Sequence, residues 1–122
     1  MMNTKKSMTE TMVPSTTRQA FKILDGMLTD NEKASALTKS RFEFAADEHF
    51  GLGQWIRNTW YYGIEDEKTQ EHALAVLLGP NAHYSTDENG DRHLVNIFQP
   101  DDLSSSILER YHNHLKRTYK KK

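Results

Sequence analysis

Six side chains in two short stretches have types and spacing that could do chemistry. His49, Arg57 and Asn58 fall in the run HFGLGQWIRNTW from His49 to Trp60. Asp101, Asp102 and Ser104 fall in the run PDDLS at 100–104. As a ligand site, the set suits a small anionic or polar molecule. Arg57 would grip it with two parallel N–H bonds, and Asn58 would orient it. His49 would serve as acid or base near neutral pH, and Trp55 or Trp60 would supply a stacking wall. The candidate ligand-binding residues are therefore His49, Arg57, Asn58, Asp101 and Asp102. The same residues also have an architectural reading. An arginine half-buried among aromatics needs a carboxylate, which the Asp101–Asp102 pair at a helix start can supply. Asn58 would then tie down a loop carbonyl, and His49 would hydrogen-bond across the glycine bend. Full use of the guanidinium by one of the aspartates would leave nothing for a ligand.

Other chemistries are less well served. Asp47-Glu48-His49 is compact, but adjacent residues on a helix point in different directions. Glu109-x-x-His112 has the spacing of one di-iron ligand pair, where that architecture needs two. Asp87-x-Asn89-x-Asp91 opens like a calcium loop, yet its glycine is misplaced and Phe98 stands where a bidentate glutamate belongs. No metal and no cofactor is expected. Without cysteine, thiolate chemistry is excluded, and no Gly-x-Ser-x-Gly elbow exists for a serine nucleophile. Gly51-x-Gly53 lacks the third glycine and the preceding strand of a phosphate loop. Residues 110–122 carry Arg110, Lys116, Arg117 and Lys120 to Lys122 with Tyr111 and Tyr119 between them. Such a tail could track phosphates, or simply solubilise a frayed helix end.

The totals narrow the setting. The chain has 122 residues, enough for one domain, and a hydrophobic fraction of 36%, so its core must be small. Sixteen basic and 17 acidic residues give a net charge of −1, which offers no overall attraction to nucleic acid or membrane. The positive N-terminus is not followed by an apolar segment, so neither a secretory signal nor a membrane span is expected. With no cysteine, a cytoplasmic setting fits.

The elements that must position the candidate residues are helical. Residues 1–15 read as a flexible arm, with Met8, Met12 and Val13 as anchors if it binds a partner. Phe21, Leu24, Met27 and Leu28 recur at helical spacing after Ser15 or Thr16. Thr29 and Glu32 form a capping box that starts a second helix over 30–46, making an αα-hairpin. Gly51 and Gly53 place a bend at 49–53. Leu52, Trp55, Ile56, Thr59 and Trp60 then share one face of a third helix, ended by Gly63. Ala73, Leu74, Leu77 and Leu78 stripe a fourth, stopped by Gly79-Pro80. Asn89-Gly90 predicts a β-hairpin over 83–97 with Asp87 opposite Arg92 and Tyr84 opposite Val95. A plain polar loop is the alternative. Asp101 or Asp102 caps a final helix with Leu103, Ile107, Leu108, Tyr111 and Leu115 inward.

The run HFGLGxWIRNxW, followed by PDDLS ahead of an amphipathic helix, resembles a family of small bacterial and mobile-element proteins of unknown function. That family runs as an αα-hairpin, this first motif, a short variable helix, PDDMS and a final helix. The resemblance spans roughly residues 17–117. Leu103 replaces the usual methionine at similar volume. The segment 79–98 is longer than in typical members. The resemblance implies a shared fold, a shared polar constellation and a phage or prophage setting, but no reaction.

The reading is thus a mainly α single domain over 16–117, a bundle of about five helices with a hairpin insertion, an N-terminal arm (1–15) and a basic tail (118–122). The leading function is a non-enzymatic protein-interaction module acting on a host protein. One alternative is a ligand-binding protein or enzyme built on His49, Arg57, Asn58 and Asp102. Another is a nucleic-acid-binding accessory using the tail. An exposed apolar patch on the hairpin or fourth helix would favour the first.

Overall fold

The computed structural model describes residues 13–95 and 99–119. The expected N-terminal arm and basic tail therefore lie mostly outside the described residues, as does the end of the expected hairpin. The elements are α1 (Thr17–Met27), α2 (Asp30–Ala36), α3 (Arg41–Asp47) and α4 (Leu52–Arg57). A π-helical turn (Asn58–Tyr62) continues α4, and α5 (Glu67–Leu78) follows. A 3₁₀ turn (Gly79–Asn81) leads to β1 (Tyr84–Thr86), β2 (Arg92–Leu94) and α6 (Pro100–Thr118). The protein is mainly α with one antiparallel hairpin. No helix among the described residues is long and apolar enough to cross a membrane.

The long α6 is the mast of the bundle. Its expected stripe, Leu103, Ile107, Leu108, Tyr111 and Leu115, is buried throughout, and α1, α3, α4 and α5 pack against it. Phe21 and Leu24 enter this core from α1, Phe44 from α3, Ile56 and Trp60 from the third helical stretch, and Leu77 from α5. Trp60 is fully buried in the core and meets Trp55, itself partly buried against that core, edge-on at 5.3 Å.

The helix expected over 30–46 is two helices. The Thr29–Glu32 capping box is present, with Glu32 N donating to Thr29 Oγ1 at 3.1 Å and Thr29 N donating to Glu32 Oε1 at 2.8 Å. A second box begins at Ser40, whose Oγ accepts from Glu43 N at 3.1 Å while Glu43 Oε1 accepts from Ser40 N at 3.1 Å. The chain turns at Thr38–Ser40 and restarts as α3, because both boxes satisfy amides that a continuous helix would have bonded itself. Gly63 closes the π turn as expected, since a Cβ there would lie 2.6 Å from the Asn58 carbonyl oxygen.

The hairpin forms one residue out of the expected register. Tyr84 faces Leu94, Ser85 faces His93 and Thr86 faces Arg92. The cause is Asp87, whose Oδ1 accepts from Asn89 N at 2.9 Å and from Asp91 N at 3.0 Å. These bonds make a three-residue loop with Gly90 at φ +85°, instead of a two-residue turn. The shift exchanges the cross-strand partners. Arg92 lies over the Tyr84 ring at 4.3 Å, and His93 Nε2 meets Asp87 Oδ2 at 2.8 Å.

The Asp87–His93 contact should make the stability of the hairpin depend on pH. The hydrogen bond to Asp87 raises His93 above its ordinary 6.5. The same bond, with the Asp91 and Asn89 amides, lowers Asp87 below its ordinary 3.8. A raised histidine adds stability that is full below its ordinary value and lost as pH rises through the raised one. A lowered carboxylate adds stability that is full above its ordinary value and lost as pH falls through the lowered one. Both contributions are therefore in force from about pH 4 to about pH 6.5. Val95 N, which donates to His83 O at 2.9 Å, should be better protected from hydrogen exchange at about pH 5.5 than at about pH 8.5, after correction for intrinsic rates. His93→Gln should flatten that difference. Equal protection in the two proteins at both pH values would refute the coupling.

Candidate functional site

The bend between α3 and α4 brings four of the six candidate residues together. Glu48 O accepts from Gly51 N at 3.1 Å and from Gly53 N at 2.7 Å, folding the chain back on itself. Gly53 does more than bend. A Cβ there would lie 3.2 Å from Arg57 Nη1, 3.1 Å from Glu48 O and 3.5 Å from Ser104 Oγ. Glycine thus lets the guanidinium slide between the bend and α6.

Arg57 is buried, with 9% of its surface exposed, and both of its terminal nitrogens donate inside the protein. Nη1 donates to Ser104 Oγ at 2.8 Å, and Nη2 donates to the His49 carbonyl at 3.1 Å. Asp101 Oδ1 lies 3.7 Å from Nε, an ion pair at longer range. Ser104 in turn donates to the Asp101 carbonyl at 3.1 Å. The His49 ring faces Asp101 Oδ2 at 3.8 Å from Nε2. The guanidinium therefore ties the bend to the first turn of α6 through a backbone carbonyl, a hydroxyl and a carboxylate.

Asn58 and Asp102 stand outside this cluster. Asn58 is exposed on the π turn. Asp102 is the third residue of α6, and its Oδ2 accepts from Gln99 N at 3.3 Å. The cap of α6 is Gln99, not Asp101 or Asp102 as the sequence reading has it. Pro100 takes the first helical position, where a missing N–H costs nothing. That start turns Asp101 and Ser104, three apart, toward Arg57 and turns Asp102 away.

Ser104 is the partner that the sequence reading underweighted, since a serine in a first helical turn reads as a cap. A second polar cluster escaped it entirely. Asp25 on α1 accepts from Tyr111 OH at 2.7 Å, with Lys33 Nζ at 3.9 Å and His114 Nε2 at 3.7 Å. Burial, reinforced by Asp25, pushes the Tyr111 phenol well above its ordinary range. Asp25 sits four residues after Phe21 on the apolar stripe of α1, a position that asks for an internal partner. His112, weighed as half of a metal motif with Glu109, is fully buried; its Nε2 bonds the Ala36 carbonyl at 2.9 Å and its ring packs on Phe44. Asp87, weighed as a calcium ligand, is occupied by its own loop and by His93. Among the described residues, no three His, Cys, Asp or Glu side chains gather as a metal site.

Several apolar side chains face solvent. Phe50, in the bend, is 82% exposed and meets the His49 ring edge-on at 4.7 Å. Phe42 on α3 and Tyr62 on the π turn are each 61% exposed, and Tyr84 and Val95 are exposed at the hairpin.

The family model of a domain of unknown function (DUF6794) matches residues 13–73. That stretch holds the whole His49–Trp60 run and ends inside α5, ahead of Asp101 and Ser104. No curated protein and no solved structure matches the chain.

Proposed function

Taking as premise that the chain belongs to the DUF6794 family, a domain of unknown function, we propose that it is a non-enzymatic protein-interaction module that meets its partner at the bend between α3 and α4. The observation that carries this is the contrast inside the bend. Arg57 is turned inward and bonded at both terminal nitrogens, while Phe50, seven residues earlier, is 82% exposed. A large apolar ring held in water on a braced loop gives up its exposed area when a partner covers it. A braced loop also loses little entropy on binding. Aromatic side chains are enriched at the centres of protein interfaces, and Phe42 sits on α3 before the bend and Tyr62 on the π turn that continues α4 after it. The partner is a host protein with an apolar recess for the ring.

The test is site-specific photocrosslinking in lysate of the source cells. A photoreactive phenylalanine analogue at position 50 should yield one discrete protein adduct, and the same analogue at position 88, in the hairpin loop, should not. No adduct at position 50, or the same adducts at both positions, would overturn the reading.

A further inference from the structure

Asp102, turned away from Arg57, lines a second concavity. This groove has a volume of about 410 Å³ and lies between the start of α3, the 3₁₀ turn after α5, and the outer face of α6. Its lining carries both signs of charge: Arg41 and Arg110, Asp102 and Glu109, together with Ser105 and Ser106. No ion pair among the described residues uses Arg41, Asp102, Glu109 or Arg110. Glu109 is half-buried and has no cationic partner within 4.0 Å among the described residues.

Arg110 is fixed in place. Its Nη2 donates to Val76 O at 3.0 Å and to Leu77 O, and its Nε donates to Ser106 O at 3.3 Å. Those bonds leave Nη1 without an acceptor among the described residues. Asp102 Oδ1 is likewise left over when Oδ2 takes the Gln99 amide. Arg41 lies over the Phe42 ring at 4.7 Å, a contact that uses its face and spares its edge donors.

We propose that this groove binds a small zwitterion of the free α-amino acid class. The carboxylate of the ligand takes the edge of Arg41 and Arg110 Nη1, its ammonium takes Glu109 and Asp102, and the serine hydroxyls fix it between them. The lining favours this class over others. A doubly charged phosphate would meet two carboxylates, and a nucleobase or sugar would find no aromatic platform among the lining residues. Paired opposite charges discriminate strongly, because a ligand lacking either charge leaves the opposite charges of the lining uncompensated.

The experiment is a ¹⁵N–¹H titration of the full chain with L-serine, with acetate and methylammonium as single-charge controls. L-Serine should give saturable shifts at the Ser105, Ser106 and Glu109 amides, with a Kd on the order of 1 mM. Neither control should saturate. Glu109→Gln and Arg41→Gln should each weaken binding about tenfold. Arg41 is exposed, so its variant keeps the test valid even if Glu109→Gln is poorly folded. Three results would each overturn the proposal: no saturation with L-serine, acetate shifting the same amides as strongly, or unchanged affinity in both variants.

Discussion

Arg57→Ala should lower the unfolding free energy by about 2–4 kcal/mol. The substitution removes two charge-assisted hydrogen bonds, to Ser104 Oγ and the His49 carbonyl, and the longer contact with Asp101. It leaves the His49 carbonyl without its donor and opens a space beside Gly53, against which the guanidinium now packs. Ser104 keeps its bond to the Asp101 carbonyl, which limits the damage on the α6 side. Urea unfolding should show a lower midpoint with an unchanged slope, because the loss is local and the fold is kept. Arg57→Lys should recover less than half of the loss. One ammonium cannot span the separate positions of Ser104 and His49 O that the guanidinium fork reaches together. Wild-type stability in Arg57→Ala would mean that the cluster braces nothing.

Gly79→Ala should cost a similar amount, about 2–4 kcal/mol, through a different mechanism. Gly79 has φ +57° and ψ −126°, a backbone conformation that side-chain-bearing residues rarely adopt. A Cβ there would also run into the Arg110 guanidinium. Arg110 is nearly fixed by the carbonyls of Val76 and Leu77, which are orphan acceptors at the end of α5. Moving it would strip those carbonyls of their donor, and burial already works against its charge, lowering its pKa. Gly90→Ala is the control. Gly90 has φ +85° but nothing within 4 Å of an added Cβ, so its cost should be about 1 kcal/mol. Thermal melts of Gly79→Ala alone and combined with Arg110→Ala separate the two terms. Removing the guanidinium should relieve the collision and leave only the backbone strain, so the two substitutions should combine to less than their sum. Strict additivity would show that Arg110 is not the obstacle.

What the sequence disclosed and what it hid differ by the range of the interaction. Thr29 with Glu32, the Leu103–Leu115 stripe, Gly63 and the Gly79-Pro80 stop are local signals, and all stand. Ser40 with Glu43 is the same capping signature as Thr29 with Glu32, and it was legible. Phe44 and Ala45, seven and eight residues after Leu37, stand at helical spacing from it and so suit one continuous helix over 30–46. The hairpin register hinged on one side chain. Asn89-Gly90 suits a two-residue turn, but Asp87 can reach two amides of its own loop, and those bonds selected three residues instead. The Arg57 cluster was legible as a set of residue types and not as a geometry. Choosing Asp101 over Asp102 requires knowing that Gln99 is the cap, since neighbouring residues point about 100° apart around a helix. The Asp25–Tyr111 bond joins residues 86 apart, and the groove over Ser105 and Ser106 needs three elements in place. Nothing local to either stretch encodes such contacts.

The interaction reading depends on Arg57 being an internal tie and not a grip for a ligand. The side-chain ¹⁵N–¹H spectrum of Arg57 tests this most directly. A guanidinium held at Nη1 by Ser104 and at Nη2 by His49 cannot rotate freely. Separate Nη1 and Nη2 resonances, in slow exchange with water and unmoved by added phosphate or acetate, are the expected result. A single averaged resonance that exchanges rapidly and shifts saturably with either anion would contradict it, and would return His49, Arg57 and Asp101 to the role of a ligand site.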